Sequence, residues 1–555
     1  MAPFLATVSG HNELAMNMKH NAVCSSLASV LAPWLVSGLV AITVEFGFGQ
    51  PSFFGIRSSL QGGIVAALSN PSETALMPHS LDLNLGLVEI GVRNSLLPIP
   101  IDRSLIESIS LRGGTLAMLN SLGGAGQEAG MSFLSEALSN GTPMNFGLGI
   151  EAMGPGLAIA AGRSLGFGVF TRLRGSANIY NMDMGLLSQY TSSSLVLAGL
   201  LTEVMFPYLF KTTGEQALEA MGWFELGINA AVPIVNTKLQ TLKVGVNYRL
   251  LFPKLYSKVY LSESFLTLDT LSNKLYLHGS TTLGYFASSP DIFDNADLSN
   301  FSGIRQFVGK PNGRAVDIGV SYHLKNAKGM PLIRAGLAFT DMGTATFAID
   351  SNYNQEYRLR IPSTQRYDLR EQELGSLDTY IEDLRARGLA SDVAAVRGNS
   401  LRASLPRSYN AYLDLRILGP FYLHFYSQSA MQKPKRDSVL MPFVGIRAIT
   451  PRFLIRNGLE LNAPITFSKI QGTQLGLGAK LGMIHIGSNT LLSFVTGKPL
   501  KQIDLYIGLR MIAGSTKLQA QERAERKEES EEDIAPSDSD IASTSKRKNS
   551  VQPSP

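Results

Sequence analysis

Thr241-Leu242-Lys243-Val244-Gly245-Val246-Asn247-Tyr248-Arg249-Leu250 is the stretch whose reading decides the fold. Every second residue is apolar, and those between are polar, charged or glycine, so an extended chain here carries one oily and one wet face. The pattern recurs in Val316, Ile318, Val320 and Tyr322 against Asp317, Gly319, Ser321 and His323, and in Ile503, Leu505, Ile507 and Leu509 against Asp504, Tyr506, Gly508 and Arg510. Further alternating segments lie near 144–150, 156–174, 222–232, 256–268, 274–287, 332–342, 410–428, 439–449, 452–468 and 473–496. So many repeats predict one large antiparallel sheet closed into a transmembrane β-barrel, apolar side chains to lipid and polar ones to the lumen. A soluble sandwich or propeller also alternates. Short turns such as 162–165 and 497–499, inward glycines, and aromatics near strand ends (Trp223, Phe252, Tyr256, Tyr422, Tyr426), read as an interfacial girdle, favour the membrane barrel.

Composition agrees. Charged residues are 17% of the 555, below the roughly 25% of soluble domains, and glycine numbers 53. The net charge of +5 is spread through the alternating segments, so nothing reads as a basic patch for nucleic acid. The single cysteine, Cys24, lies in the first 30 residues, which suits an oxidising compartment. Residues 1–49 read as a signal-peptide region. Met18-Lys19-His20 is a basic start, Leu27 to Val44 is largely apolar, and Gly47-Phe48-Gly49 offers a small-x-small cleavage pattern, with Ala41 as an alternative. A retained anchor fits less well, because Pro33 and Gly38 interrupt the run and no basic flank follows it.

The body from 81 to 514 is expected to be the barrel, with two interruptions. Residues 176–221 hold the apolar run Leu195 to Phe210, broken by Glu203 and Pro207, then the helix-like Gln216 to Met221, and read as a helical insertion. Residues 350–408 are rich in Arg, Asp, Glu and Gln, helix-like around Leu369 to Leu389, and read as a long polar loop. Residues 515–555 carry almost no apolar side chains and read as a disordered charged tail.

Catalytic constellations are wanting. The seven histidines form no i, i+4 pair of a zinc helix. Gly162-Arg163-Ser164-Leu165-Gly166 matches a nucleophile elbow, but an alternating strand, not a helix, is expected after it. We therefore expect no enzyme, no cofactor and no metal. The polar inward positions are the candidate functional residues: Lys243, Asn247, Arg249, Asp317, His323, Arg334, Asp414, Arg416, His424, Lys480, Asp504 and Arg510. Buried charges are costly unless paired or hydrated, so these residues either pair across the lumen or line a solute path.

Leu68-Ser69-Asn70-Pro71-Ser72, Val316 to Tyr322, Leu337-Ala338-Phe339-Thr340-Asp341-Met342-Gly343, Gly487 to Leu491 and Ile507-Gly508-Leu509-Arg510, taken in order, resemble a Bacteroidetes-type family of outer-membrane barrels, distantly FadL-like and PorV-like. The resemblance covers roughly 50–514. It implies about 14 strands, although the residues themselves leave 14 and 16 open, and an amino-terminal plug at 50–80 that leaves the lumen through an Asn70-Pro71 turn. It departs where Ser72 replaces the usual alanine and where a charged tail follows the last strand. It implies a bacterial outer-membrane location, with membrane lipid as partner, and a conduit for hydrophobic or amphipathic small molecules. The alternative is a non-transporting barrel that scaffolds a secretion or surface-attachment complex, with envelope proteins as partners.

Overall fold

The computed structural model describes residues 53–59, 62–94, 144–161, 165–182, 215–262, 265–269, 274–288, 309–326, 331–351, 354–362, 367–368, 377–393, 398–431, 439–440, 445–455, 459–468, 472–495 and 502–513. The expected signal region, most of the helical insertion and the charged tail lie outside these residues, as does the 497–499 turn.

Strands form where the two-residue alternation runs. They are β1 (Leu81–Asn94), β2 (Met144–Ala161), β3 (Leu165–Met182), β4 (Gln216–Asn236) and β5 (Gln240–Ser262). Strand β6 comes in two pieces, Lys274–Ala287 and Gly313–Lys325, which pair with the far and near halves of β5. Strand β7 (Pro331–Ala348) continues as Asn354–Ile361, and β8 comprises Ser400–Ser404 and Ser408–Leu418. Then follow β9 (Phe421–Ala430), β10 (Ile446–Ile455), β11 (Leu459–Asn462 with Ile465–Ser468), β12 (Gly472–Leu475 with Leu477–Leu481), β13 (Ile484–Ser488) and β14 (Gln502–Ala513).

Each strand pairs antiparallel with the next, and β14 returns to β1 from Leu81↔Ala513 to Arg93↔Gln502. The ring of 14 is closed, so no ladder edge is left to the surroundings. Short connections lie at the end where β1 begins and β14 finishes. The β4–β5 turn is held by the Thr237 N–H donating to the Gln240 carbonyl at 2.8 Å, and the β8–β9 and β12–β13 turns use Gly419 and Gly482 at positive φ. The long connections gather at the other end. Short periplasmic turns and long outer loops are the usual arrangement of such barrels.

Burial alternates along the strands. In β4 the buried Glu219, Met221, Trp223, Glu225 and Asn229 face inward, while Leu226, Ile228 and Val232 are exposed. Exposed Leu85, Val88, Phe167, Val246, Ile318, Leu337, Phe453, Leu461, Ile486, Leu505 and Ile507 carry the apolar surface right around the ring. A closed barrel with an oily outside and a charged inside is built for a bilayer, and this is a bacterial outer-membrane barrel. Among the described residues no helix is long and apolar enough to cross a membrane.

Three expectations need correction. The five aromatics read as an interfacial girdle, Trp223, Phe252, Tyr256, Tyr422 and Tyr426, are all buried. Tyr426 packs edge-on against Phe54 inside the barrel, and Trp223 and Tyr256 belong to an apolar cluster. Position near a strand end does not reveal which face a ring occupies, and parity does. Second, 176–182 and Gln216 to Met221 are strand, not helical insertion. The helix-favouring Ala, Leu, Glu and Met of 216–221 are overridden by pairing with Tyr256 to Leu261. Third, 350–408 is no simple polar loop. It holds the continuation of β7, which pairs with β6 on one side and with Ala390–Val393 on the other, and a helix, Leu377–Ala386. Burial of Tyr357, Leu359, Ile361, Leu384 and Leu389 gives this extension a core of its own.

Candidate functional site

The lumen of the described barrel is occupied by the chain before β1. Two short helices, α1 (Phe54–Arg57) and α2 (Gly63–Ala66), lead to a 3-10 turn at Pro71–Thr74. Asn70 caps that turn, its Oδ1 accepting from the Ser72 amide at 3.1 Å and from the Ser72 hydroxyl at 2.8 Å. Pro71 sits at the first position of the turn, where its missing N–H costs nothing.

Wall glycines let the turn come close. A Cβ at Gly245 would overlap the Pro71 backbone, and one at Gly319 would overlap Asn70. In that space the Asn70 amide donates to the Val320 carbonyl at 2.9 Å, and the Ser72 and Ser321 hydroxyls meet at 2.7 Å. Asn229 donates to the Pro71 carbonyl at 2.9 Å, Asn247 to that of Ala67 at 2.8 Å and Asn410 to that of Ser69 at 3.2 Å. The plug's backbone acceptors are thus satisfied by wall amides, as a buried chain requires.

Charges join plug to wall at four places. Glu73 of the turn lies 3.3 Å from Lys243 Nζ, 3.6 Å from Arg334 and 3.8 Å from His323, and accepts from the Tyr412 hydroxyl. Burial pushes the Glu73 carboxyl up, but Lys243, His323 and Arg334 outweigh it and hold the group well below the ordinary glutamate range. Arg57 of α1 reaches Glu151 at 3.3 Å. Asp82 takes both Arg510 Nε at 2.6 Å and Nη2 at 2.8 Å, and accepts the Ile64 amide at 2.7 Å. Finally, the carbonyl of Ser58 accepts from Arg334 and Arg452, and the Ser59 hydroxyl donates to Glu460.

Behind these contacts the wall carries a continuous ion-pair layer. Arg249 bonds Glu225 at 2.8 Å, Asp317 at 2.6 Å and Asp341 at 2.8 Å. Arg172 joins Glu151 to Glu225, and Arg174 joins Glu225 to Asp341. A second group centres on Asp414, shared by Arg334 and Arg452. Asp341 adopts φ 58°, unusual for a non-glycine residue, at a bulge where β6 and β7 shift register. The bulge turns its carboxyl toward Arg249 and Arg174 while its amide donates to Asp317 at 2.7 Å.

Of the residues singled out from sequence, Lys243, Asn247, Arg249, Asp317, His323, Arg334, Asp414 and Arg510 converge on this plug and layer. His424 stands 3.7 Å from Asp414, and Lys480 is buried on the inner face. Two stand apart. Arg416 lies at the β8–β9 turn, bonded to the Gly419 carbonyl at 2.8 Å. Asp504 accepts from the Asn489 amide and side chain, both at 2.8 Å, and from the Thr490 hydroxyl; it fastens the end of β13 to β14. Sequence reasoning missed Glu73, Asp82, Glu151, Arg172, Glu225, Asp341, Arg452 and Glu460. For those on strands the inward parity was readable; for Glu73 nothing short of the plug's placement shows the partners.

Toward the long-loop end the inner face changes character. Met221, Trp223, Leu251, Tyr256, Phe347 and Leu401 pack with neighbours into a buried apolar cluster on β4 to β8. It rests directly on the charged layer: Trp223 Nε1 donates to Glu225 at 2.8 Å, and Arg174 lies 5.1 Å over the indole ring. Between plug and wall a small cavity of about 20 Å³ is lined by residues including Phe54, Glu73, Arg334 and Tyr426. Among the described residues no three His, Cys, Asp or Glu are placed to hold a metal. Leu165, after Ser164, opens a strand and not a helix.

Solved structures similar to this chain include a mutant of the TodX monoaromatic hydrocarbon channel, at 10% identity over 81% of this chain and 95% of that one, with a TM-score of 0.41. The toluene transporter TbuX of Ralstonia pickettii matches at 10% identity over 81% and 94%, TM-score 0.36. A Pseudomonas aeruginosa FadL homologue matches at 9% identity over 84% and 99%, TM-score 0.36. No curated protein matches the chain. A family model described as "Family of unknown function (DUF5723)" matches residues 119–489, well over half of the 555. The chain belongs to this family, DUF5723.

Proposed function

We propose that the barrel is a conduit for hydrophobic or amphipathic small molecules, closed by the plug. The observation that carries this reading is the apolar cluster on the inner face of β4 to β8. Barrel lumens are ordinarily polar, because water fills them. These side chains bury one another on the outer side of the plug's charged seat, so an apolar solute that parts them has a place to leave water before the plug yields. The supporting energy scale is about 25 cal/mol per Å² of apolar surface removed from water.

Trp223 lies in that cluster and reports on it. In a Trp34→Phe background it is the remaining one of the chain's two tryptophans. Adding 1-bromododecane to the purified barrel should quench its emission saturably; an unchanged emission in a folded barrel would overturn the conduit.

The runner-up, a barrel that scaffolds a secretion or surface-attachment complex, is favoured by the close fit of plug to wall and by the strand-and-helix extension at 354–393. Deleting residues 50–69 separates the two. A conduit should become leaky to hydrophobic dyes, whereas a scaffold should keep its permeability and lose partner capture.

A further inference from the structure

On the outside of the barrel, at the upper border of the oily belt, lies a cationic patch that takes no part in the lumen. Arg314 on β6 and Arg402 on β8 are both exposed and alternate with inward positions: half-buried Gly313 and buried Ala315 flank the first, buried Leu401 and Ala403 the second. Strand β7 runs between them. Arg314 pairs across to Thr344, Arg402 to Thr346, and Ser404 to Thr344. Arg402 leans over β7, its Nη2 donating to Thr344 Oγ1 at 3.3 Å. Two strand spacings separate the arginines, about 10 Å at the backbone, so their long side chains can converge above the threonine. Neither arginine has a carboxylate partner among the described residues.

Immediately toward the short-turn end, the same outer face is apolar: Val316 and Ile318 on β6, Leu337, Phe339 and Met342 on β7. The patch therefore stands where the outer leaflet's hydrocarbon gives way to its headgroups. Two guanidiniums with hydroxyls between them suit phosphate, which arginine grips with paired N–H donors while Thr and Ser add weaker ones.

We propose that Arg314 and Arg402, with Thr344, Thr346 and Ser404, bind a phosphorylated headgroup of an outer-leaflet glycolipid. The lipid's acyl chains lie along Ile318, Leu337 and Phe339, so the site reads charge above and oil below in one molecule. Free phosphate meets only the upper half of it. This site is independent of whether the lumen conducts.

The test is titration of the detergent-solubilised barrel with diphosphoryl lipid A, followed by the temperature at which the heat-modifiable band converts. Wild type should be protected by lipid A and not by inorganic phosphate at the same phosphate concentration. The double variant Arg314→Gln with Arg402→Gln should need at least tenfold more lipid A, a shift of about 1.4 kcal/mol. Arg358→Gln, an exposed arginine on the extension, should leave the titration unchanged. If the double variant gives no folded band, the single variants carry the test with a smaller loss each. Equal protection of wild type and variants by lipid A overturns the site, and so does the absence of protection. Protection by inorganic phosphate alone also overturns the lipid assignment.

Discussion

Gly245 has a single structural duty: it leaves room for Pro71 of the plug. Gly245→Ala places a Cβ against backbone that has nowhere to go, and overpacking of this kind costs about 1–3 kcal/mol. The ring itself is untouched, so the variant should still give a folded band while leaking dye above the wild-type rate. A wild-type leak would show that the plug tolerates displacement. Glu73 supplies the complementary prediction. Its carboxyl is held below the ordinary glutamate value near 4.3 by Lys243, His323 and Arg334. A depressed acid stabilises the plug fully above its unfolded pKa and loses that contribution as pH falls through the folded one. Dye leak should therefore stay flat from pH 7 to 5 and rise only under stronger acid. Glu73→Gln leaves Lys243 short of its counter-charge, a loss of about 3 kcal/mol, and should leak at neutral pH with no further rise traceable to this group.

Among the elements, the extension beyond β6 and β7 is separable from the ring. The β7–β8 ladder at the membrane level runs from Thr340↔Ser408 to Ile333↔Leu415 and needs nothing from the helix Leu377–Ala386. Replacing residues 363–389 with a short Gly-Ser linker should leave a heat-modifiable barrel, although Leu359 and Ile361 lose their cover. Failure to assemble would mean that the extension templates β8. The extension also marks where reading by element goes astray. Gln216 to Met221 looks helical in composition yet is strand, because local propensity differs by only a few tenths of a kcal/mol per residue and pairing with β5 supplies more. In 354–361, Tyr357, Leu359 and Ile361 alternate with Arg358 and Arg360, but the surrounding Arg, Asp and Glu mask a period of two.

For the whole molecule, closure is the decisive event, and it is made by the two most distant strands, with Leu81 opposite Ala513. A chain truncated after residue 514 retains every pairing of that seam. It should insert and convert on heating as the full chain does; a truncated chain that stays in aggregate would make the remainder an assembly signal. The alternation of Leu242 to Leu250, repeated along the chain, predicted a membrane barrel and placed Lys243, Asn247 and Arg249 inward, because strand parity is a local property with a fixed period. Which of those polar residues meet, and what they hold, was not local. Arg249 finds Glu225, Asp317 and Asp341 across three neighbouring strands. Glu73 finds its partners only once the plug lies in the lumen, contacts set by register and closure between segments up to 339 positions apart. The same holds for the aromatics: Trp223 and Tyr256 have the inward parity of their strands, but only the curl of the sheet gathers them into one oily surface above a charged floor.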